Sequence, residues 1–510
     1  MRRPRLAAFV CALALGGCSA ETRIERMQLE LANDLAAGRN SEAALLEGRI
    51  GSLAGERFGE SAPDTFMARA EIAKTYGCWL HTAHAVELAT ATLRDMEARY
   101  GSTDEHLTIA LAALVRAYAC ARQWHDAQRA ADRIVQICRN KPSRTDMMGP
   151  CRRSTGFDIN ILLAELGDYR ESVNEFFILN ASHNDPGDRR GGISMLSVIG
   201  HRYAEAGEYP EALWYLQRCV DESRARYERT VAPHERLWTD AEGDVEIVSV
   251  DRAHSFQSQS PRCLEDLIAL RRNTGDHAEA DRLAAWQRDL WARGPDLEAE
   301  LTKQVRFADA AWHDDRFTSG YANDLAFYYT GKGRTSDAIR AYQDAIRWMD
   351  RGAGPDQRRG RCDDAWLLID ELLGLGAACE AADRAADAEA AYRRAARIAA
   401  TELNPHHSWR LEPVARLARV LSSEGRSGEA EATWRHYLAL TEQQRGPDHA
   451  DYAIGLAGLA DTLATSGRST DAKAARARAD GIWTAYARRI ISAADLPLPT
   501  SLLSPSSPAN

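Results

Sequence analysis

The chain has 510 residues, 45% of them apolar and 27% charged, with 64 Lys and Arg against 74 Asp and Glu for a net charge of −10. It is too apolar for a disordered polyampholyte and too long for one ordinary domain of roughly 100–200 residues, so several domains or a repeat array are required. Non-specific attraction to phosphate backbones needs a concentrated cationic face, which this acidic balance does not favour, so nucleic acid is not an expected partner.

In chain order, Met1-Arg2-Arg3-Pro4-Arg5 is a cationic start, Leu6 to Leu15 is apolar, and Leu15-Gly16-Gly17-Cys18 closes the stretch with small residues. Ten apolar residues are too few to span a bilayer but suit the apolar core of a secretory signal. The block resembles a bacterial lipoprotein signal with its lipobox. That resemblance implies removal of residues 1–17, lipidation of Cys18 with acyl chains such as palmitate, and a short linker over 18–23. Ser19, in place of an Asp, implies delivery to the outer membrane facing the periplasm. An ordinary cleaved signal and an uncleaved apolar N-terminus are the alternatives. Beyond the leader no apolar run approaches the ~20 residues of a spanning helix.

Export would put the mature cysteines in an oxidising compartment, where disulfides persist. Cys138 and Cys151 bracket a loop containing Lys141-Pro142 and Gly149-Pro150, and they form the candidate disulfide. The remaining cysteines are expected to be mostly small buried hydrophobes in helices. The chain has no CxxC pair, so a zinc ribbon or thioredoxin-like site has no support.

The body of the chain repeats. Ala43, Ala85 and Ala127 are 42 residues apart, as are Ala388, Ala430 and Ala472, and the same pattern recurs irregularly around Ser172, Ala212, Ala280 and Ala338. Five residues before most of these ten anchors stands a glycine, as at Gly38, Gly207, Gly333 and Gly425, suited to the left-handed conformation that ends a helix. Sixteen residues after the anchor come Gly59, Gly101, Asn404 and Gly446, again types that tolerate positive φ. Within a unit, Leu196, Ile199, Gly200 and Tyr203, then Ala212, Leu213, Leu216 and Cys219, follow helical spacing. Gly200 against Ala212, Ala326 against Ala338 and Gly376 against Ala388 are the expected close crossings.

Gly200-x-x-Tyr203-x-x-x-Gly207-x-Tyr209-x-Glu211-Ala212 resembles the tetratricopeptide repeat signature, and so does the stretch from Ala326 to Ala345. The 42-residue period and the connector Arg445-Gly446-Pro447-Asp448-His449-Ala450-Asp451 resemble the kinesin-light-chain-like subtype. The resemblance implies an all-α fold, an α-solenoid or superhelix of about ten helical hairpins. Asp34 and Glu47 stand where the family has apolar residues, and Arg271 where it has Tyr.

The expected organisation is an N-terminal array over 24–220, an extended helix and loop over 221–260, a C-terminal array over 261–492, and a disordered Pro/Ser tail over 493–510. Residues 245–250 are the one short β-prone run, and 346–364 form a second exposed joint.

Chemistry finds little support in the residues. Gly331-Lys332-Gly333 fails the phosphate-loop spacing and reads as a hairpin turn. His81 and His84 read as a solvated pair rather than a metal site, and His406-His407 as a connector contact. No metal, cofactor or catalytic residue is expected, and the chain reads as non-enzymatic. Projecting the family's groove positions onto the sequence selects Lys74, Arg116, His201, Asn323, Phe327 and Arg419, which implies a protein or peptide partner with some acidic or polar character. The reading is a membrane-anchored interaction scaffold of the bacterial cell envelope. An envelope enzyme framed by repeats and a cytoplasmic regulator are the rivals.

Overall fold

The computed structural model describes residues 20–79, 81–139, 151, 163–164, 166–169, 172, 189–231, 263–272, 274, 276–293, 298–311, 315–350 and 365–493. The leader with Cys18, the β-prone run 245–250, most of the joint 346–364 and nearly all of the Pro/Ser tail lie outside them. The described residues hold helices and no strand.

The chain divides into two compact units, Met1–Leu162 with Ala353–Asp363, and Leu163–Gly352 with Asp364–Asn510. The cut falls inside the array that the repeat spacing runs from 24 to 220. Unit 1 contains α1 (Ala20–Ala36), α2 (Asn40–Phe58), α3 (Pro63–Cys78), α4 (Thr82–Tyr100), α5 (Thr108–Cys120) and α6 (Trp124–Cys138), packed as three successive hairpins. Unit 2 contains α7 (Arg189–Ala206), α8 (Tyr209–Val231), a helical stretch over 263–272, and α9 (His277–Arg293). It continues with α10 (Glu298–Ala311), α11 (Asp315–Gly331), α12 (Thr335–Asp350), α13 (Ala365–Ala381) and α14 (Ala385–Glu402). It ends with α15 (Glu412–Ser423), α16 (Ser427–Arg445), α17 (Ala450–Thr465) and α18 (Ser469–Ala493). Helix α10 is an extra element between two hairpins.

One local device makes eight of the hairpin turns among the described residues. Gly38, Gly167, Gly207, Gly333, Gly425 and Gly467 take φ between 69° and 81°, and where the turn lacks glycine Arg122 (59°) and Asp383 (57°) take the same conformation. The following N–H bonds the carbonyl five residues back, as Arg426 N does to Leu421 O at 3.0 Å and Glu208 N to Tyr203 O at 2.9 Å. This is the Schellman closure of a helix C-terminus. A non-glycine residue there costs roughly 1–2 kcal/mol, so Arg122 and Asp383 show that packing imposes the turn. The anchor then falls on the fourth residue of each second helix. Ala43, Ala85, Ala127, Ala212, Ala280, Ala338, Ala388 and Ala430 are 0% exposed, Ser172 1% and Ala472 7%. Asn404 departs from expectation: it keeps negative φ, and its Oδ1 accepts the His406 N–H at 2.8 Å, so the side chain makes the turn that glycine makes elsewhere.

The close crossings sit one turn further along than the sequence suggests. A Cβ on Gly200 would lie 2.8 Å from the Leu216 side chain, and one on Gly376 would strike the Tyr392 ring. Both helices of a hairpin rise equally per residue, so residues eight before and eight after the turn face each other. Leu216 and Tyr392 are four residues past their anchors.

Two disulfides lie among the described residues. Cys138 and Cys151 are bonded with Cα atoms 5.7 Å apart, and Cys219 is bonded to Cys263 across a separation of 44 residues, closing the base of the long insertion. Cys120 is also disulfide-bonded. No described helix is long and apolar enough to cross a membrane.

Tyr392 has no exposed surface and its hydroxyl donates to Glu380 at 2.6 Å, so the ring is held from both ends. Gly376→Ala should therefore destabilise unit 2 by about 1–3 kcal/mol, the ordinary cost of overpacking, measured as a lowered urea midpoint at unchanged slope.

Candidate functional site

The projected groove positions fall on first helices of hairpins, at the same phase or one turn from it. In unit 1, Lys74 on α3 reaches Glu71 of its own helix at 2.8 Å, and Arg116 on α5 is half-buried. In unit 2, His201 on α7 lies 3.0 Å from Asp266 on the 263–272 helix. Asn323 on α11 donates to Asp370 on α13 at 3.3 Å. Phe327 packs beside the Tyr328 and Tyr329 cluster, whereas Arg419 on α15 is exposed. His201 and Asn323 thus each bridge to the first helix of a following hairpin, which makes neighbouring first helices share a face. Both are already committed to a carboxylate within the protein.

Sequence reasoning did not find the most concentrated polar site, which lies where early hairpins of unit 2 meet its last ones. One apolar cluster contains Leu216, Cys219 and Leu267 together with Trp434, Tyr437, Leu456 and Tyr486, residues more than 150 positions apart. Over it the turns at Gly167 and Gly207 press on the connectors that precede α15 and α17. The Tyr169 hydroxyl donates to Ser408 Oγ at 2.9 Å and accepts the Ser408 N–H at 2.8 Å. Trp409 Nε1 donates to Glu205 at 2.9 Å, and Tyr486 donates to the Gly207 carbonyl at 3.1 Å. Arg445 donates to the Glu205 carbonyl and to Asp451, and Asp451 also accepts the Tyr209 hydroxyl.

Two histidines at the same phase, His407 and His449, cap these connectors. Nδ1 of each accepts a backbone N–H, from Trp409 at 3.2 Å and from Asp451 at 3.1 Å. An imidazole can accept only when neutral on that nitrogen. Burial pushes His407 down to about 4 against the pull of Glu205, and burial likewise lowers His449. His201 behaves oppositely: burial disfavours its charge, but Asp266 and Glu205 outweigh that and raise it to about 9. Burial would raise Glu205, yet His201, Arg202 and His407 bring it down to about 2. Replacing His201 or Arg202 would remove a positive charge from buried Glu205, the side of an ion pair whose loss of a partner matters most.

In unit 1, His84 lies 2.9 Å from Glu47, one of the two residues that departed from the repeat pattern, and Asp34 pairs with Arg39 at 2.6 Å. No group of three metal-ligating side chains occurs among the described residues.

No family model matches the sequence, and no curated protein matches it. Among solved structures, the chain is similar to a Podosopora anserina protein described as a kinesin light chain with nearly identical TPR-like repeats. That match is 16% identical, covers 40% of this chain and 96% of the other, and has a TM-score of 0.33. It is similar to BtubC of P. vanneervenii, 16% identical over 58% of this chain and 95% of that one with a TM-score of 0.31. It is also similar to a Rap protein complexed with Competence and Sporulation Factor, 10% identical over 84% and 99% with a TM-score of 0.37. The fold stands on the chain's own geometry, which is that of stacked tetratricopeptide-like hairpins.

The two titrations predict a stability maximum for unit 2 near pH 6.5, the ordinary value for both rings. Stability from His201, whose folded value is raised, is complete below 6.5 and is lost as pH rises through about 9. Stability from His407, whose folded value is lowered, is complete above 6.5 and is lost as pH falls through about 4. Calorimetric melting across this range should show His201→Gln flattening the alkaline limb and His407→Asn, whose Oδ1 can still cap Trp409, flattening the acid limb. Profiles identical to the parent would contradict the assignment.

Proposed function

We propose that this protein is a non-catalytic interaction scaffold, held at an envelope membrane by a lipid on Cys18, that binds a protein or peptide segment along the face made by its first helices. The observation that carries the binding reading is the bridging of neighbouring first helices by His201 to Asp266 and by Asn323 to Asp370, which builds two polar stretches that each span two hairpins. Extended faces of this kind in helical repeats take peptides or partner helices. Arg419, exposed on that series, would meet acidic groups of the partner.

The leader supports export, and the Cys138–Cys151 and Cys219–Cys263 disulfides support an oxidising compartment over a cytoplasmic one. Two or more acyl chains would hold the scaffold stably, at about 0.8 kcal/mol per buried methylene.

Labelled palmitate should be incorporated by the parent and not by Cys18→Ala, which should also leave the membrane fraction. Label retained in the variant would refute the anchor. Crosslinking in the native membrane followed by mass spectrometry should yield a partner whose recovery drops severalfold in Arg419→Glu, with melting unchanged. Undiminished recovery would move the binding face elsewhere.

A further inference from the structure

Helices α14, α15 and α16 leave an open cleft of about 320 Å³ between them, at the small end of ligand-sized pockets. Ala396 and Ala400 on α14 and Ala432 on α16 form its walls, buried Val414 and Leu417 of α15 form its floor, and Arg410 stands at its edge. The cleft is a local exception to the repeat. At the same phase 42 residues later, Leu438 takes the place of Ala396 and Tyr452 that of Arg410, with Arg478 lying over the Tyr452 ring at 4.9 Å. The following repeat therefore carries large side chains where this one carries alanine and an arginine.

Arg410 is unusual in its surroundings. Its Nε is buried and has no hydrogen-bond partner, and no carboxylate among the described residues pairs with its guanidinium. Burial alone acts on it, and pushes its pKa down. Its positive charge is thus left without a counter-ion among the described residues, and an anion in the cleft would meet a guanidinium that no carboxylate neutralises. The platform is fixed as well, because neighbouring Ser408 and Trp409 are tied to Tyr169 and Glu205.

We propose that this cleft binds a small monocarboxylic acid with an apolar body, its carboxylate on Arg410 and its hydrocarbon against the alanines, Val414 and Leu417. One guanidinium matches one negative charge, and the Thr433 hydroxyl in the lining already donates to the Glu429 carbonyl at 2.8 Å, so the body of the ligand meets mainly apolar side chains. His436, exposed on the rim, is placed to add a second donor. This site is separate from the first-helix face and does not depend on the scaffold reading.

Calorimetric titration of the full chain with sodium octanoate tests it. One equivalent should bind, octan-1-ol should bind at least about tenfold more weakly, and Arg410→Gln should lose octanoate affinity by at least about tenfold, the scale of one charge-assisted hydrogen bond. Ala432 is exposed, so Ala432→Leu should keep the parent melting temperature while filling the cleft and abolishing binding. Failure of octanoate to bind, equal affinity for octanoate and octan-1-ol, or octanoate affinity unchanged in either variant would overturn the proposal. So would a peptide with a free C-terminal leucine binding more tightly than octanoate through the same arginine, because the apolar body would then belong to a polypeptide.

Discussion

Two helices of about equal length can lie flat against each other only if the chain reverses within a few residues and nothing bulky stands just beyond the reversal. At eight turns among the described residues both conditions are met by one residue taking positive φ and, five positions on, a side chain no larger than alanine or serine with almost no exposed surface. The mirror relation of a hairpin follows, and with it the meeting of Gly200 with Leu216 and Gly376 with Tyr392. Arg122 and Asp383 adopt the turn without glycine's freedom. The requirement is therefore set by the packing of the two helices rather than by local preference alone.

Stacking such hairpins buries one side of each against its neighbours and leaves the turns and connectors as edges. In unit 2 those edges are used. Turns at Gly167 and Gly207 meet the connectors capped by His407 and His449, and the polar groups brought together satisfy one another: Glu205 with Arg202 and Trp409, Asp451 with Arg445 and Tyr209. Apolar burial beneath the contact supplies attraction without direction, whereas the charged network specifies which turn meets which connector. Opposite shifts of His201 and His407 arise within this one network, because the first faces two carboxylates and the second serves as an acceptor in a buried cap.

A regular repeat also makes its own irregularities informative. At the phase where Leu438 and Tyr452 stand in one repeat, Ala396 and Arg410 stand in the preceding one, and the difference is a cleft with a guanidinium at its edge. Departures in the first hairpins have a different character. Asp34 is matched by Arg39 and Glu47 is hydrogen-bonded to His84, so polar residues at apolar positions are partnered locally rather than left open.

Helices, turn positions, the 42-residue phase and the burial of the anchors were legible in the sequence because each is dictated by neighbours within one hairpin. The first helices carrying Lys74, Arg116, His201, Asn323, Phe327 and Arg419 could be assigned for the same reason, but whether those side chains stood free could not. Asp266 lies 65 residues from His201, and Asp370 lies 47 from Asn323. Spacing carries no information about contacts across such gaps. The pairing of Glu205 with Trp409 and of Tyr209 with Asp451, across 204 and 242 residues, was decided only by the tertiary structure. Small angular increments between successive hairpins add up over the array, and their sum determines which distant edges meet.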